Sequence, residues 1–178
     1  GRPRGMTAPV ALRVTREDAV ARIVFDRPEK KNALSEAMWL ALGEAARDLA
    51  NDAGIRVVIV SGEGGSFAAG ADISEFETVY ASPERAEAYA ATISGALSAL
   101  ASVPAPVIAR IEGACVGGGC AVALACDLRF CSPEARFAVT PARLGLAYPF
   151  EDTRRLVDAV GPAAAKDLLF SARFIDAQ

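Results

Sequence analysis

Residues 111–120 read IEGACVGGGC. The stretch joins an apolar run, VIARIEG at 107–113, to AVALACDL at 121–128. The first reads as a strand and the second as a helix. Gly117, Gly118 and Gly119 therefore stand where that helix opens, with the helix predicted over 117–126. Glycine inside regular structure is worse than alanine by roughly 0.5–1 kcal/mol, so three in succession need a reason. At the first turn of a helix the N–H groups have no internal partner and lie at the positive end of the dipole. Without side chains, a ligand can approach them along the main chain.

The same strand–loop–helix pattern extends outward in both directions. ALRVTRED at 11–18 and AVARIVFD at 19–26 read as an antiparallel hairpin turning at Glu17-Asp18. A charged loop, RPEKKNAL, leads to Ser35, an N-cap for an amphipathic helix over 36–50 with Met38, Leu42, Ala46 and Leu49 on its buried stripe. IRVVIVSG at 55–62 is a strand, apolar from Val57 to Val60 and so expected to be covered on both faces. EGGSFAAGADISEF at 63–76 is a loop that ends in a short helix. Ser82-Pro83 opens a helix over 83–101, with Ile93, Leu97 and Leu100 buried. DLRFCS at 127–132 is a further strand, and EARFAVTPARLGLAYPFED at 134–152 reads as irregular. Helices near 152–160 and 162–171 follow. Alternating strands and helices with an antiparallel start predict an α/β fold. Two glycine-rich loops, each after a strand, fall on one side of a mostly parallel sheet, where such folds place their sites.

Composition narrows the chemistry. The chain has 178 residues, 52% hydrophobic and 23% charged, with a net charge of −3. That suits one globular domain. No basic stripe points to nucleic acid, no run approaches the roughly 20 apolar residues of a membrane span, and no secretory signal is visible. GRPRG at 1–5 reads as a cloning remnant, leaving 6–178 as the domain. There is no histidine, so a Ser-His-Asp or Cys-His nucleophile cannot form within the chain. Cys115, Cys120, Cys126 and Cys131 lack metal-binding spacing and are read as buried thiols. No metal site is expected. A cytoplasmic home fits these thiols.

Three phosphate or nucleophile loops fail on inspection. No glycine-Lys-Ser/Thr tripeptide occurs, which excludes a P-loop. Gly62 to Gly65 continues into Ser66-Phe67, so the dinucleotide fingerprint lacks its last glycine. Ser66 in GGSFA is not a nucleophile elbow either. What remains is backbone chemistry: FAAGAD and VGGGC offer one N–H donor each to an oxygen that gains negative charge. The plainer reading is close helix–strand packing that excludes side chains.

Four segments in this order and spacing, RPEKKNALS (27–35), FAAGADI (67–73), IEGACVGGGC (111–120) and LACDLRFCS (124–132), resemble the enoyl-CoA hydratase/isomerase, or crotonase, superfamily. The resemblance runs from Val10 to the end of the chain. It implies a spiral of ββα units and an acyl-coenzyme A thioester substrate, with coenzyme A entering as part of that substrate and no separate cofactor. It implies an oxyanion hole made by the N–H groups of Ala71 and Gly118. Around it, Ala69, Gly70, Ala71, Asp72 and Ile73 would bind the coenzyme, the main chain of Ala69, Ala71 and Ile73 holding the adenine. Gly117 and Gly118 would line the thioester, and Ala33 in the 27–33 loop the pantetheine path. Arg27, Lys30 and Lys31 would add positive charge near the phosphates, the alternative being solvated surface charge. A homotrimer or a dimer of trimers, and a role in fatty acid metabolism as lyase or isomerase, are further implications.

The departures are as informative. The family's hydratases carry one glutamate after the glycine triplet and another after the next strand; those positions here are Ala121 and Pro141. Without two carboxyls, ordinary hydration lacks its acid and base. FAVTPARLGLAYP at 137–149 is similar to methylmalonyl-CoA decarboxylase-like members, placing Thr140 and Tyr148 where they would bind a leaving carboxylate or deliver a proton. The alternative is a turn residue and a packed aromatic. Glu151, Asp152 and Arg154 would sit beside the acyl pocket or coat the next helix. Members also continue past FIDAQ into C-terminal helices; either this sequence leaves that segment out or the chain is a truncated form, and a truncated form would have an open acyl pocket. The leading expectation is an enolate-forming, decarboxylase-like enzyme. The alternatives are a non-catalytic acyl-CoA-binding or structural subunit and, from the glycines alone, a nucleotide-binding protein.

Overall fold

The structure is a computed structural model that describes residues 10–178; the GRPRG stretch lies outside the described residues. Strands β1 (Leu12–Glu17) and β2 (Val20–Phe25) form the expected hairpin, with Asp18 in the left-handed region at its turn. Ser35 caps α1 (Glu36–Ala50), its Oγ accepting from the Met38 N–H at 3.3 Å. Strand β3 (Val57–Gly62) pairs parallel to β2. A one-turn helix α2 (Phe76–Val79) precedes α3 (Pro83–Ala101), which Ser82 caps and which packs on α1. Strand β4 (Val107–Ile111), the short β5 (Ala114–Val116) and α4 (Gly118–Ala125) follow. Then come β6 (Leu128–Cys131), β7 (Arg136–Ala138) and α5 (Phe150–Ser171).

The main sheet runs β1-β2-β3-β4-β6, parallel except for β1. Its register lines up one buried row: Ala21 opposite Val58 opposite Val107, then Ile23 opposite Val60 opposite Ala109. Successive strand residues face opposite sides. The alternate row, Val57, Ile59 and Ile108, is only half-buried. Covering of β3 on both faces is therefore corrected: among the described residues one face is closed and the other is closed in part.

A second, two-stranded sheet pairs β5 with β7, Ala114 opposite Arg136 and Val116 opposite Ala138. The residues around β7, read as irregular, thus contain a strand. Each of these strands has three residues, too few to show alternation, and only pairing over a distance makes them strands. The predicted C-terminal helices join as α5, kinked at Gly161 (φ 79°, ψ 163°) just before Pro162. The expectation of four buried thiols also needs correction. Cys115, Cys120 and Cys126 are buried, but Cys131 is exposed, because β6 is an edge strand with all four residues exposed. Burial pushes the Cys126 thiol up to about 12, so it is an inert core group. Among the described residues, no helix is long and apolar enough to cross a membrane.

Candidate functional site

The site is built from three neighbouring loops. Buried Asn32 ties two of them together. Its Oδ1 accepts from the Arg27 N–H at 2.8 Å, and its Nδ2 donates to the carbonyls of Glu63 and Ser66 at 2.9 and 2.7 Å. The 67–72 segment is then laced on both sides. Ala69 and Asp72 donate to the carbonyls of Lys31 and Leu34, and Leu34 donates to Gly70. Ala68 donates to Ala114 and accepts from Val116. This lacing brings the FAAGAD loop against the VGGGC loop.

Each glycine of the triplet has its own steric reason. Gly117 takes φ +51°, a region that side-chain-bearing residues avoid, and donates its N–H to Ala138. A Cβ on Gly118 would stand 3.0 Å from Trp39 Cζ2 and 3.7 Å from the Ala71 nitrogen. A Cβ on Gly119 would collide with the Ala68 carbonyl. Gly118 thus leaves open the space in front of Ala71, and Gly119 lets α4 approach the loop. Among the described residues the N–H groups of Ala71 and Gly118 have no acceptor, whereas their neighbours Asp72 and Gly117 do.

A cavity of about 680 Å³ opens at this point. Ala69, Gly70, Ala71, Ile73, Gly117, Gly118, Thr140 and Tyr148 all lie on its wall, so the structure brings these predicted residues together. Ala121 and Pro141 line it too and bring no acid. Glu151 and Asp152 do reach it, whereas Arg154 turns to Glu151 and Asp158. Asp152 is 5% exposed and accepts from Arg155 Nη1 at 3.0 Å. Burial raises the Asp152 pKa, and Arg155 offsets part of that rise. The Tyr148 hydroxyl is buried without a partner; burial, and then the Asp152 charge, raise its pKa far above the ordinary 10. It remains a neutral donor.

The charged candidates form a separate cluster outside the cavity wall. Arg27 Nη1 donates to Asp72 Oδ2 at 2.5 Å and to the Ala33 carbonyl at 3.3 Å. Lys30 Nζ lies 3.2 Å from both Asp72 Oδ2 and Ser74 Oγ. Burial works to raise the Asp72 pKa, but hydrogen bonds from Ser74, Arg27 and Lys30 outweigh it and hold the carboxyl far below the usual range. Lys31 is exposed. Arg27 and Lys30 are thus joined to Asp72, which fixes the loop that carries Ala71 and Ile73.

Among the wall residues that the sequence does not point to, two carry buried polar atoms. Trp39 lies beside the buried stripe of α1, and Tyr89 sits on α3; both are almost fully buried. Helical spacing marks them only as core, and nothing local in the sequence shows that they face a cavity.

The enoyl-CoA hydratase/isomerase family model matches residues 15–178. The chain is 33% identical over 163 residues to a crotonyl-CoA hydratase of Syntrophomonas wolfei, covering 91% of this chain and 62% of that protein. It is 34% identical over 166 residues to a mouse mitochondrial Delta(3,5)-Delta(2,4)-dienoyl-CoA isomerase, covering 86% of this chain and 50% of that one. A crystal structure of an enoyl-CoA hydratase/isomerase family protein from Hyphomonas neptunium superposes with a TM-score of 0.91 at 47% identity, over 94% of this chain and 64% of that one. The chain therefore spans less than two thirds of the length of these relatives.

Proposed function

The chain belongs to the enoyl-CoA hydratase/isomerase family, and from that premise we propose that it binds an acyl-CoA thioester and reacts it through an enolate. The thioester carbonyl oxygen sits between the N–H groups of Ala71 and Gly118. The carrying observation is that these two unpaired donors, on adjacent loops, open onto one cavity together with Tyr148 and Asp152. Donors held in place by the fold favour the enolate over the neutral carbonyl, because they are aimed where charge develops.

Decarboxylation or a related enolate reaction fits the wall better than addition of water. Ala121 and Pro141 supply neither acid nor base. In decarboxylation the bond from Cα to the carboxylate breaks, and its electron pair moves into the thioester carbonyl. Carbon dioxide leaves, and the enolate collapses when Cα takes a proton. The Tyr148 hydroxyl, with Thr140 beside the glycine triplet, orients the departing group. Asp152, which holds its proton more tightly than an ordinary aspartate, supplies the proton at Cα.

The test compares methylmalonyl-CoA decarboxylation with crotonyl-CoA hydration, in the parent and in Gly118→Pro. Proline at the first helical position removes an N–H that has no internal partner, and its ring also enters the space beside Trp39 and Ala71. Thermal melting checks that the fold survives. The expected outcome is decarboxylation in the parent, with kcat/KM about 10²–10³ lower in Gly118→Pro. Hydration that survives Tyr148→Phe and Asp152→Asn would overturn the reading. Tight thioester binding with no turnover on either substrate would favour a binding protein instead.

A further inference from the structure

Three buried side-chain polar atoms lack a hydrogen-bond partner among the described residues: Trp39 Nε1, Tyr89 OH and Tyr148 OH. All three belong to residues that line the same cavity. Leaving a buried donor unpaired is costly, and such groups need an explanation. Tyr148 has one in the proposed reaction. Trp39 and Tyr89 do not.

These two residues form a separate part of the wall. Trp39 comes from α1 and is 1% exposed; Tyr89 comes from α3 and is 2% exposed. The Trp39 indole also borders the Gly118 position, so it adjoins the proposed thioester site. Its N–H is near enough to the Tyr89 hydroxyl to ease that group's ionisation, yet the two do not meet in hydrogen-bond geometry. Around them the wall is aromatic. Tyr89 packs edge-on against Tyr80, and Tyr80 against Phe76.

The chemistry of the pair selects its ligand. An indole N–H only donates. Burial first, and then the neighbouring Tyr80, Glu75 and Glu36, push the Tyr89 phenol up to about 12, so it stays a neutral hydroxyl. The nearby acids are already engaged: Glu36 with Arg85, and Glu75 Oε2 with the Glu36 N–H at 2.8 Å. Among the described residues the cavity wall contains Glu87, Glu151 and Asp152 but no lysine or arginine. The leaving carboxylate of the proposed substrate is met by the Tyr148 and Thr140 hydroxyls; beside Trp39 and Tyr89 the wall offers no cation to a further anionic group. An uncharged oxygen would find a donor.

We infer that the acyl group bears an uncharged oxygen acceptor, a hydroxyl or keto oxygen beyond the reacting carbons, which takes hydrogen bonds from Trp39 Nε1 and Tyr89 OH. The inference rests on the proposed function, since it assumes a thioester held at Ala71 and Gly118. A site built to hydrogen-bond a substrate oxygen discriminates strongly against the analogue that lacks it.

The experiment measures Kd by calorimetry for four probes: butyryl-CoA, 4-hydroxybutyryl-CoA, 4-oxopentanoyl-CoA and S-butyl-CoA, the last a thioether without the carbonyl. The parent, Trp39→Phe and Tyr89→Phe are compared, with melting curves for each. The expected result is that the parent binds one oxygenated thioester about tenfold or more tightly than butyryl-CoA. That ratio falls towards one in both variants. Equal binding of all three thioesters by the parent overturns the inference, and means that water serves the two donors. A preference that survives both substitutions overturns it as well. If S-butyl-CoA binds as well as butyryl-CoA, the carbonyl is not held and the proposed function fails instead. Failure of every thioester to bind overturns both.

Discussion

Asp72 and Asp152 are both buried aspartates next to an arginine, and the fold treats them in opposite ways. Asp72 is met by Arg27, Lys30 and two groups of Ser74. Among the described residues Asp152 is met by Arg155 alone. Burial raises both pKa values, but at Asp72 the hydrogen bonds reverse the shift and at Asp152 they do not. The first carboxylate is committed to holding the 67–72 loop in place. The second keeps its affinity for a proton and faces the cavity. Burial of an acid therefore does not by itself set its protonation; the number of donors left to neutralise it does.

The contrast can be broken at its strongest point first. Asp72→Ala leaves Arg27 facing a partly buried void, and a loss of about 3–5 kcal/mol in denaturant unfolding is expected. Loss of less than about 1 kcal/mol would mean that the loop is not held by this cluster. Asp152→Asn should act the other way round. Turnover should drop about 10²–10⁴-fold, as for removal of a general acid, while stability changes by about 1 kcal/mol or less. Substantial unfolding with unchanged kcat would reverse the roles assigned to the two residues.

Acid and base titration sharpen the comparison further. The folded pKa of Asp72 is lowered, so its contribution to stability is complete above the ordinary 3.8 and declines as pH falls below it. The Asp152 pKa is raised, so its contribution is complete below 3.8 and is lost as pH rises through the folded value. Melting temperature against pH should show both trends, with Asp72→Asn flattening the acid side and Asp152→Asn the opposite side. The smallest effect is expected at Arg155. Its charge lowers the Asp152 pKa, so Arg155→Gln should move the alkaline limb of kcat upward in pH. A downward move would show that some other group sets that limb.

Much of the fold is legible along the chain because its signals are local. Ser35 and Ser82 announce their helices through side-chain caps, and the hairpin 12–25 shows in its strand-forming residues and turn. The second sheet is not legible, since β5 and β7 have three residues each and gain strand character only from each other. The half-covered face of the main sheet is hidden for a similar reason. An apolar run shows that burial is favourable, not which layer supplies it. The site divides in the same manner. FAAGAD and VGGGC are readable because the donors are backbone groups, whose position follows from glycines and a helix start. Trp39 and Tyr89 are not readable, because helical spacing places a side chain on a buried face without saying whether protein or cavity lies opposite.

The sequence by itself determined the α/β class, the helix limits at 36–50 and 83–101, the pairing of two glycine loops, and the resemblance on which the ligand class rests. Each depends on residues close together in the chain, where backbone geometry and capping act. Only the tertiary structure decided that Gly118 opens the space before Ala71, that Arg27 and Lys30 are joined to Asp72, and that Asp152 reaches the cavity. These contacts link residues about 40 or more positions apart, or a side chain to an empty volume. Packing alone sets which of them form, and so sets the charge and the free donors that the site presents.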